Sequence, residues 1–521
     1  MKTGDPICNL QEKLQAYCAS GIYPMHMPGH KRKLAPVRGL PYEWDVTEVE
    51  GTDDLHDADG ILKEAMDRTG ELVGSKRTWY LVGGSTCGNL AAVYAMVPRG
   101  GEVIAARNCH KSVYHAAELL ELTVHWIHPA KIPEFDIPGS VDPAKVERLL
   151  KEFPDSAAVI LTSPTYEGIL SDVKEIARIT HEAGKLLLVD EAHGAHLGLF
   201  RPHALTEEQQ QEKKQGKGQL EKEQKGEEYF PDSAVHLGAD VVVQSAHKTL
   251  PSLTQTAYLH RCSERVSEQA LEQGLNIFET SSPSYPLMAS LDGCTGWLLE
   301  RGEESFRRWR ERLHKLEQTA CKWENLSLLG ASSAAASKTA FLGKTDPYDG
   351  FIYDRDPGKL LIRSRTGSCS GKGLQELLRR REGIEAEMSC GGNVLLMTSC
   401  ADTDEDFERL RLALEHLNQE MGRTCSKAGI LSDGRNEPEF FLHVLPGRQE
   451  LCLARAAQLA MHGETVRMHP DSAVGRICAE YVTPYPPGAP LLIPGERITG
   501  KHVRQLQEML RTGAQMKCSL Q

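Results

Sequence analysis

The sequence predicts an α/β protein built around a mostly parallel, seven-stranded sheet. Two observations predict it. Between about residues 77 and 260 short apolar runs alternate with amphipathic stretches, and alternation of that kind buries a parallel sheet between two layers of helix. The chain is also 521 residues long, too long for a single core, so two or three domains are expected.

The candidate strands, in order, are Thr78–Val82, Glu102–Ala106, Thr123–His128, Ala157–Thr162, Lys185–Val189, Asp240–Gln244 and Gln255–Leu259. Helical periodicity falls between them at Gly88–Val97, Lys111–Leu120 and Val173–Ala183. Past Trp297 a long helical stretch, Glu304–Glu324, leads into smaller strands near Leu360–Arg363 and Val394–Thr398 and a helix over Glu405–Leu417. The last segment carries the Pro/Gly-rich run TPYPPGAPLLIPGE. The composition shifts divide the chain into an N-terminal arm (1–50), a large domain (51–300), a small α/β domain (301–425) and a C-terminal domain (426–521). Within the large domain, residues 206–228 hold Leu220 as their single large apolar side chain among Lys, Glu and Gln. Such a stretch cannot bury enough surface to offset ordering, and reads as a solvated insertion.

Bulk properties narrow the function. Net charge is −12 and no basic stripe is interleaved with aromatics, which argues against a nucleic-acid or anionic-membrane partner. No apolar run approaches membrane-spanning length, and the N-terminus has no continuous apolar segment of the signal-peptide kind. The 14 cysteines are scattered without a CxxC pair, which suits reduced thiols in the cytoplasm.

In open α/β sheets ligands bind beyond the carboxyl ends of the strands. The first such end is Gly83-Gly84-Ser85-Thr86-Cys87-Gly88-Asn89, opening a helix. Its free amides and the Ser85 and Thr86 hydroxyls suit a phosphate. The second is Arg107-Asn108-Cys109-His110-Lys111-Ser112, whose histidine either stacks on a planar ligand or caps a helix. The strand Lys185–Val189 runs into Asp190-Glu191-Ala192-His193-Gly194-Ala195-His196, and a buried strand-end aspartate needs a partner. After Val241-Val242-Val243 come Ser245, His247 and Lys248.

VDEAH also occurs in DEAH-box ATPases, but their chemistry needs an upstream GxxxxGK[ST] loop. None is present; Gly343-Lys344-Thr345 lies downstream, with Lys338 where the first glycine belongs. A zinc site on His193 and His196 conflicts with Gly194 and the turn-like context after a strand, so no metal is expected. Taken together, the strand ends supply the parts that hold pyridoxal 5'-phosphate. Lys248 is the amine for the aldehyde, Asp190 the partner of the ring nitrogen, His110 the stacking ring and His193 a neighbour of the phenolic oxygen or the substrate carboxylate. Ser85, Thr86, Ser245 and His247 are the phosphate ligands.

With those residues in view, the chain resembles the Orn/Lys/Arg decarboxylases, basic amino acid decarboxylases with an aminotransferase-like fold. The matching strings include HMPGHK (26–31), EGTDDLH (50–56), VGGSTCGNLAA (82–92), RNCHKS (107–112), VDEAHGAH (189–196), QSAHKTLPSLTQ (244–255) and PYPPGAPLLIPGE (484–496). The resemblance implies α-decarboxylation of arginine, lysine or ornithine, a role in polyamine synthesis, and a homodimer or dimer-based oligomer with shared active sites. It adds Thr162 and Thr165 near the ring oxygen, and Ser281 and Ser282 toward the partner subunit's phosphate. The start close to HMPGHK resembles the shorter family members without an N-terminal regulatory domain, for which a decamer is not expected. Transamination is the alternative on the same cofactor and needs an arginine clamp on the substrate carboxylate, for which Arg363 and Arg365 are the available residues. A non-catalytic regulator on the same scaffold is the other alternative, disfavoured because lysine and aspartate are both retained. For the far end of a basic substrate, Glu387, Glu480 and Asp53 or Asp54 are the acidic candidates.

Overall fold

The structure, a computed structural model, describes residues 10–200, 229–331, 352–365, 367, 369–426, 447–485, 490–511 and 515–517. The 206–228 insertion lies outside them. The seven apolar runs form one sheet: β1 (Arg77–Leu81), β2 (Glu102–Ala106), β3 (Thr123–Ile127), β4 (Ser156–Thr162), β5 (Leu186–Asp190), β6 (Val241–Gln244) and β7 (Ala257–Arg261). Their spatial order is β1-β7-β6-β5-β4-β2-β3. The pairs from β6 through β3 are parallel, and β7 alone runs against both its neighbours. The carboxyl ends of β1, β2, β4, β5 and β6 therefore share one edge with the amino end of β7.

Alternation along the strands feeds two cores. Val103, Ala105, Ala158, Ile160, Leu188, Val241 and Val243 face one hydrophobic cluster. Ile104, Ala106, Val159, Leu161, Leu187, Val189 and Val242 face the other. This period-two division is why each central strand reads as a continuous apolar run. Helix α1 (Gly84–Met96) follows β1 and α2 (Lys111–Leu119) follows β2.

Most boundaries shift by a residue, and at the shared edge two elements start more than one residue from the sequence expectation. The first helix starts at Gly84 rather than Gly88, so Ser85 and Thr86 fall in its first turn, where backbone amides have no partner within the helix. Strand β7 starts at Ala257 because Gln255, at φ +87°, and Thr256 are spent on the preceding turn. There the Gln255 amide donates to the Val82 carbonyl and His247 Nδ1 lies 2.8 Å from the Thr256 carbonyl.

A second sheet of β8 (Leu326–Leu328), β9 (Lys359–Ser364), β10 (Met388–Cys390) and β11 (Asn393–Met397) is wholly antiparallel, in the order β8-β9-β11-β10. Buried Trp309, on the helix Glu303–Ala320, donates to Thr398 Oγ1 at 2.9 Å and ties that helix to the end of β11. Near the C-terminus the backbone returns to the large sheet. Arg107, just past β2, donates to the Pro490 carbonyl at 2.9 Å and to Tyr114 Oη at 2.6 Å, and lies 3.4 Å from Glu496. Among the described residues no helix is long and apolar enough to cross a membrane.

Gly88 marks where α1 crosses the sheet most closely: a Cβ there would sit 2.7 Å from Leu81 Cδ1 and 3.0 Å from Val243 Cγ1. Gly88→Ala should cost about 1–3 kcal/mol of stability through overpacking, read as a lower urea midpoint at unchanged m-value. A midpoint equal to the parent's would show that the crossing can relax.

Candidate active site

The carboxyl edge brings the predicted residues together. Asp190 is the last residue of β5 and pairs in register with Thr162 of β4 and Val243 of β6. Buried among apolar neighbours, its carboxylate is held by two donors. Asn89 Nδ2 donates to Oδ2 at 2.9 Å, and the Ala192 amide donates to Oδ1 at 3.1 Å. Asn89 Nδ2 also lies 3.0 Å from Ser112 Oγ, which is 2.8 Å from His110 Nδ1. One buried network thus links the tips of β2 and β5 through a side chain of α1.

His110 caps α2, its Nδ1 accepting from the Ser112 amide at 3.3 Å. The residue keeps an exposed face, yet partial desolvation lowers its pKa, against an opposing pull from Asp190. The sequence left capping and stacking as alternatives. The cap engages Nδ1 and leaves Nε2 and the ring face available, so the two are compatible.

Lys248 sits on the short helix Ala246–Thr249 that follows β6. Its Nζ is 2.9 Å from His193 Nε2. Burial depresses the amine, opposed by the charges of Asp190 and Glu387. His193 itself is buried, and its pKa lies well below the ordinary imidazole value because of burial and then the nearby charges of Lys359 and Lys248. The Tyr166 ring covers it at a centroid distance of 4.5 Å.

At the first strand end Ser85 and Ser245 converge from different strands, their hydroxyls 3.0 Å apart. The preceding glycine turn is fixed by Glu279, whose Oε2 accepts the amides of Val82 and Gly83 at 3.1 and 3.0 Å. His247 Nδ1 is engaged with the Thr256 carbonyl, and burial lowers its pKa. Thr86 stands beside Ser85 in the first turn of α1.

These residues fit pyridoxal phosphate on the structure's own terms. Two hydroxyls and the free amides of a helix start form an anion cup. A carboxylate fixed by two donors lies at the neighbouring strand tip. Thr162 Oγ1, buried beside Asp190, has no hydrogen-bond partner among the described residues, a cost that a polar ligand atom would remove. Thr165 is different: its Oγ1 accepts the Ile169 amide at 3.2 Å within a tight turn, which engages it away from a ring. Ser281 and Ser282 are exposed.

Several alternatives find no support here. Arg363 donates through Nη1 to the Glu134 carbonyl and Arg365 through Nε to the Leu326 carbonyl at 2.8 Å, and Arg365 is exposed. His196 is 3.1 Å from Asp356, and among the described residues no His, Cys, Asp and Glu group could hold a metal ion. Glu191, beside Asp190 in the sequence, is occupied by Ser233, the Ala234 amide and Gln244. Asp53 accepts the Gly60 and Leu62 amides at a helix start and Asp54 caps a short turn.

The site also contains side chains that sequence reasoning did not assign: Asn89, Ser112, Tyr166, Glu279 and Lys359. Asn89 had a usable signal, standing four residues after Ser85 on the same helix. Lys359 had only its position at the start of an apolar strand.

The fold and site together define the class: the chain has the aminotransferase-like fold of pyridoxal phosphate enzymes. Among solved structures it is similar to the lysine decarboxylase LdcF of Francisella novicida, with a TM-score of 0.78 at 19% identity over 98% of this chain and 79% of that one. It is similar also to the constitutive lysine decarboxylase of E. coli, with a TM-score of 0.76 at 20% identity over 97% of this chain and 79% of that one. The Orn/Lys/Arg decarboxylase major domain matches residues 9–406 and the C-terminal domain of the same family matches residues 438–517. The chain belongs to the Orn/Lys/Arg decarboxylase family. Among its relatives are the uncharacterized protein YaaO of Bacillus subtilis, 31% identical over 96% of this chain and 94% of that protein. An arginine decarboxylase of the same species is 29% identical over 94% of this chain and 90% of the relative.

Asn89→Leu should leave Ser112 and Asp190 short of a buried donor and cost about 1–3 kcal/mol. Urea unfolding of the variant measures it, and a parental midpoint would mean that Asn89 does not hold the two strand tips together.

Proposed function

We propose that the protein catalyses pyridoxal-phosphate-dependent α-decarboxylation of a basic amino acid, yielding the corresponding amine and carbon dioxide. The observation that carries the proposal is the convergence of Asp190 and Lys248 from adjacent parallel strands in a chain of this family. When bound, pyridoxal phosphate supplies an electron sink for the pair left behind as the Cα–carboxylate bond breaks.

The protein's own residues would do the following. Lys248, whose amine burial depresses against the charges of Asp190 and Glu387, would meet the cofactor aldehyde. Asp190, already fixed by Asn89 and Ala192, offers its remaining lone pairs to the ring nitrogen and keeps a proton there. Ser85, Thr86 and Ser245 donate to the phosphate with the amides of the helix start. His247 joins them through Nε2, since Nδ1 is engaged. His110 lies against the ring, held at one edge by Ser112. Thr162 supplies its unpaired hydroxyl, and His193 stands at the phenolic oxygen or the scissile carboxylate.

A substrate with a distal cation is supported by Glu387. Its carboxylate accepts from Tyr166 Oη, and its charge acts on both Lys248 and Lys359. The relative named arginine decarboxylase supports a basic substrate as well. On this reading the amine product feeds polyamine synthesis, and the enzyme works in the cytoplasm as a homodimer with shared active sites. Residues 51–300 form the cofactor domain, 301–425 the small domain and 426–521 the C-terminal domain.

The test is carbon dioxide release by purified, cofactor-loaded protein given arginine, lysine, ornithine or a neutral amino acid. Gas should evolve from at least one basic substrate and not from the neutral one, and Lys248→Ala should abolish it. A keto acid with no gas would replace decarboxylation by transamination.

A further inference from the structure

The hydrogen-bond network between the tips of β2 and β5 is directional, and its direction fixes where a proton sits. Asn89, wholly buried on α1, places Nδ2 2.9 Å from Asp190 Oδ2 and 3.0 Å from Ser112 Oγ. Ser112 is equally buried, and its Oγ lies 2.8 Å from His110 Nδ1. Four side chains from three separate elements thus form one line from Asp190 to His110.

Hydrogen counting lets this line run one way. A backbone amide can only donate, and the Ser112 amide lies 3.3 Å from His110 Nδ1, so Nδ1 is an acceptor and carries no proton. The Ser112 hydroxyl beside it then gives its single hydrogen to Nδ1, and its oxygen accepts from Asn89. The group that Asn89 turns toward Ser112 is therefore its NH2, whose second hydrogen goes to the Asp190 carboxylate. The far end agrees, because the Ala192 amide donates to the other Asp190 oxygen at 3.1 Å. In the reverse run, a protonated Asp190 would donate to Asn89 and His110 would donate from Nδ1. That run sets two N–H hydrogens against each other at Nδ1. Asn89 Oδ1, buried and without a hydrogen-bond partner among the described residues, is left unserved by this orientation. The amide is turned to serve two acceptors at the expense of its own carbonyl.

We propose that Asn89 is a positioning residue for His110: through Ser112 its amide keeps Nδ1 an acceptor, places the single imidazole proton on Nε2 and holds the ring uncharged beside Asp190. The proposal rests on the reading of His110 as the ring that lies against the cofactor. There the missing charge matters, because a ring nitrogen protonated opposite Asp190 already brings one positive charge, and a stacked imidazolium would add a second that repels it. The charged and titratable groups facing His110 are Asp190 at the end of β5, His193 just past it, Lys248 after β6, and Lys111 and His115 on α2. Desolvation disfavours the imidazolium, as do the charges of Lys248 and Lys111, while Asp190 opposes them. One amide thereby sets the proton arrangement at both Asp190 and His110.

The test uses cofactor-free protein and no substrate, so its outcome is separate from that of the gas assay. Two-bond proton–nitrogen spectra of ¹⁵N-histidine-labelled protein, with His110 assigned by its loss in His110→Gln, read the tautomer directly. A bare Nδ1 with a protonated Nε2 at neutral pH is the expected pattern, and an Nδ1-protonated ring or an imidazolium overturns the proposal. Asn89→Leu tests the part played by the amide. It takes one donor from Asp190 and frees the Ser112 oxygen to accept from Nδ1, and both changes favour the imidazolium. The apparent pKa of His110, followed in the same spectra, should then rise by about one unit, a tenfold shift in its protonation equilibrium. Folded Asn89→Leu that is less stable but leaves the His110 titration unchanged would make Asn89 a purely structural link and overturns the proposal. The parent spectrum needs no change at Asn89, so it decides the tautomer even where that variant does not fold.

Discussion

The parallel pairing of β5 with β6, which sets Asp190 in register with Val243, is the constraint on which the site depends. From that register, Asp190 ends one strand while Ser245 and Lys248 follow the end of the next. A slip of one residue would turn Asp190 from the α1 face to the opposite core and remove it from Asn89. The register is secured because Leu188 and Leu187, like Val243 and Val242, belong to different cores on the two sheet faces. The apolar interior therefore specifies the position of the polar edge.

The reversal of β7 completes that edge. Because β7 runs against its neighbours, its amino end lies among their carboxyl ends, and the Gln255–Thr256 turn becomes part of the site's wall. Gln255 holds Val82, just past β1, and Thr256 holds His247, so the turn before β7 steadies the residues that follow β1 and β6. Glu279 does similar work at the glycine turn, binding backbone amides with a buried carboxylate.

Much of this was legible in the sequence because it is local. Seven apolar runs and the residues directly after them locate the strands, Asp190 and Lys248, and the structure brings those two together at one edge. What could not be read depends on contacts between distant segments. The start of β7 moved because its first two residues serve a turn against β1, which no propensity reports. Asn89 links residues 23 and 101 positions away, and within its own helix it is an ordinary polar position. Lys359 carries no motif in the sequence, and its burial depends on contacts with residues distant in the chain such as His193. Arg363 and Arg365 illustrate the converse, since their engagement with backbone carbonyls is likewise invisible in KLLIRSRTGS.

Arg107 couples the segment around Pro490 and Glu496 to the tip of β2, three residues before His110. Its guanidinium is largely buried, and across that seam it donates to the Pro490 carbonyl and lies 3.4 Å from Glu496. The final part of the chain therefore acts as a splint on the segment that carries His110.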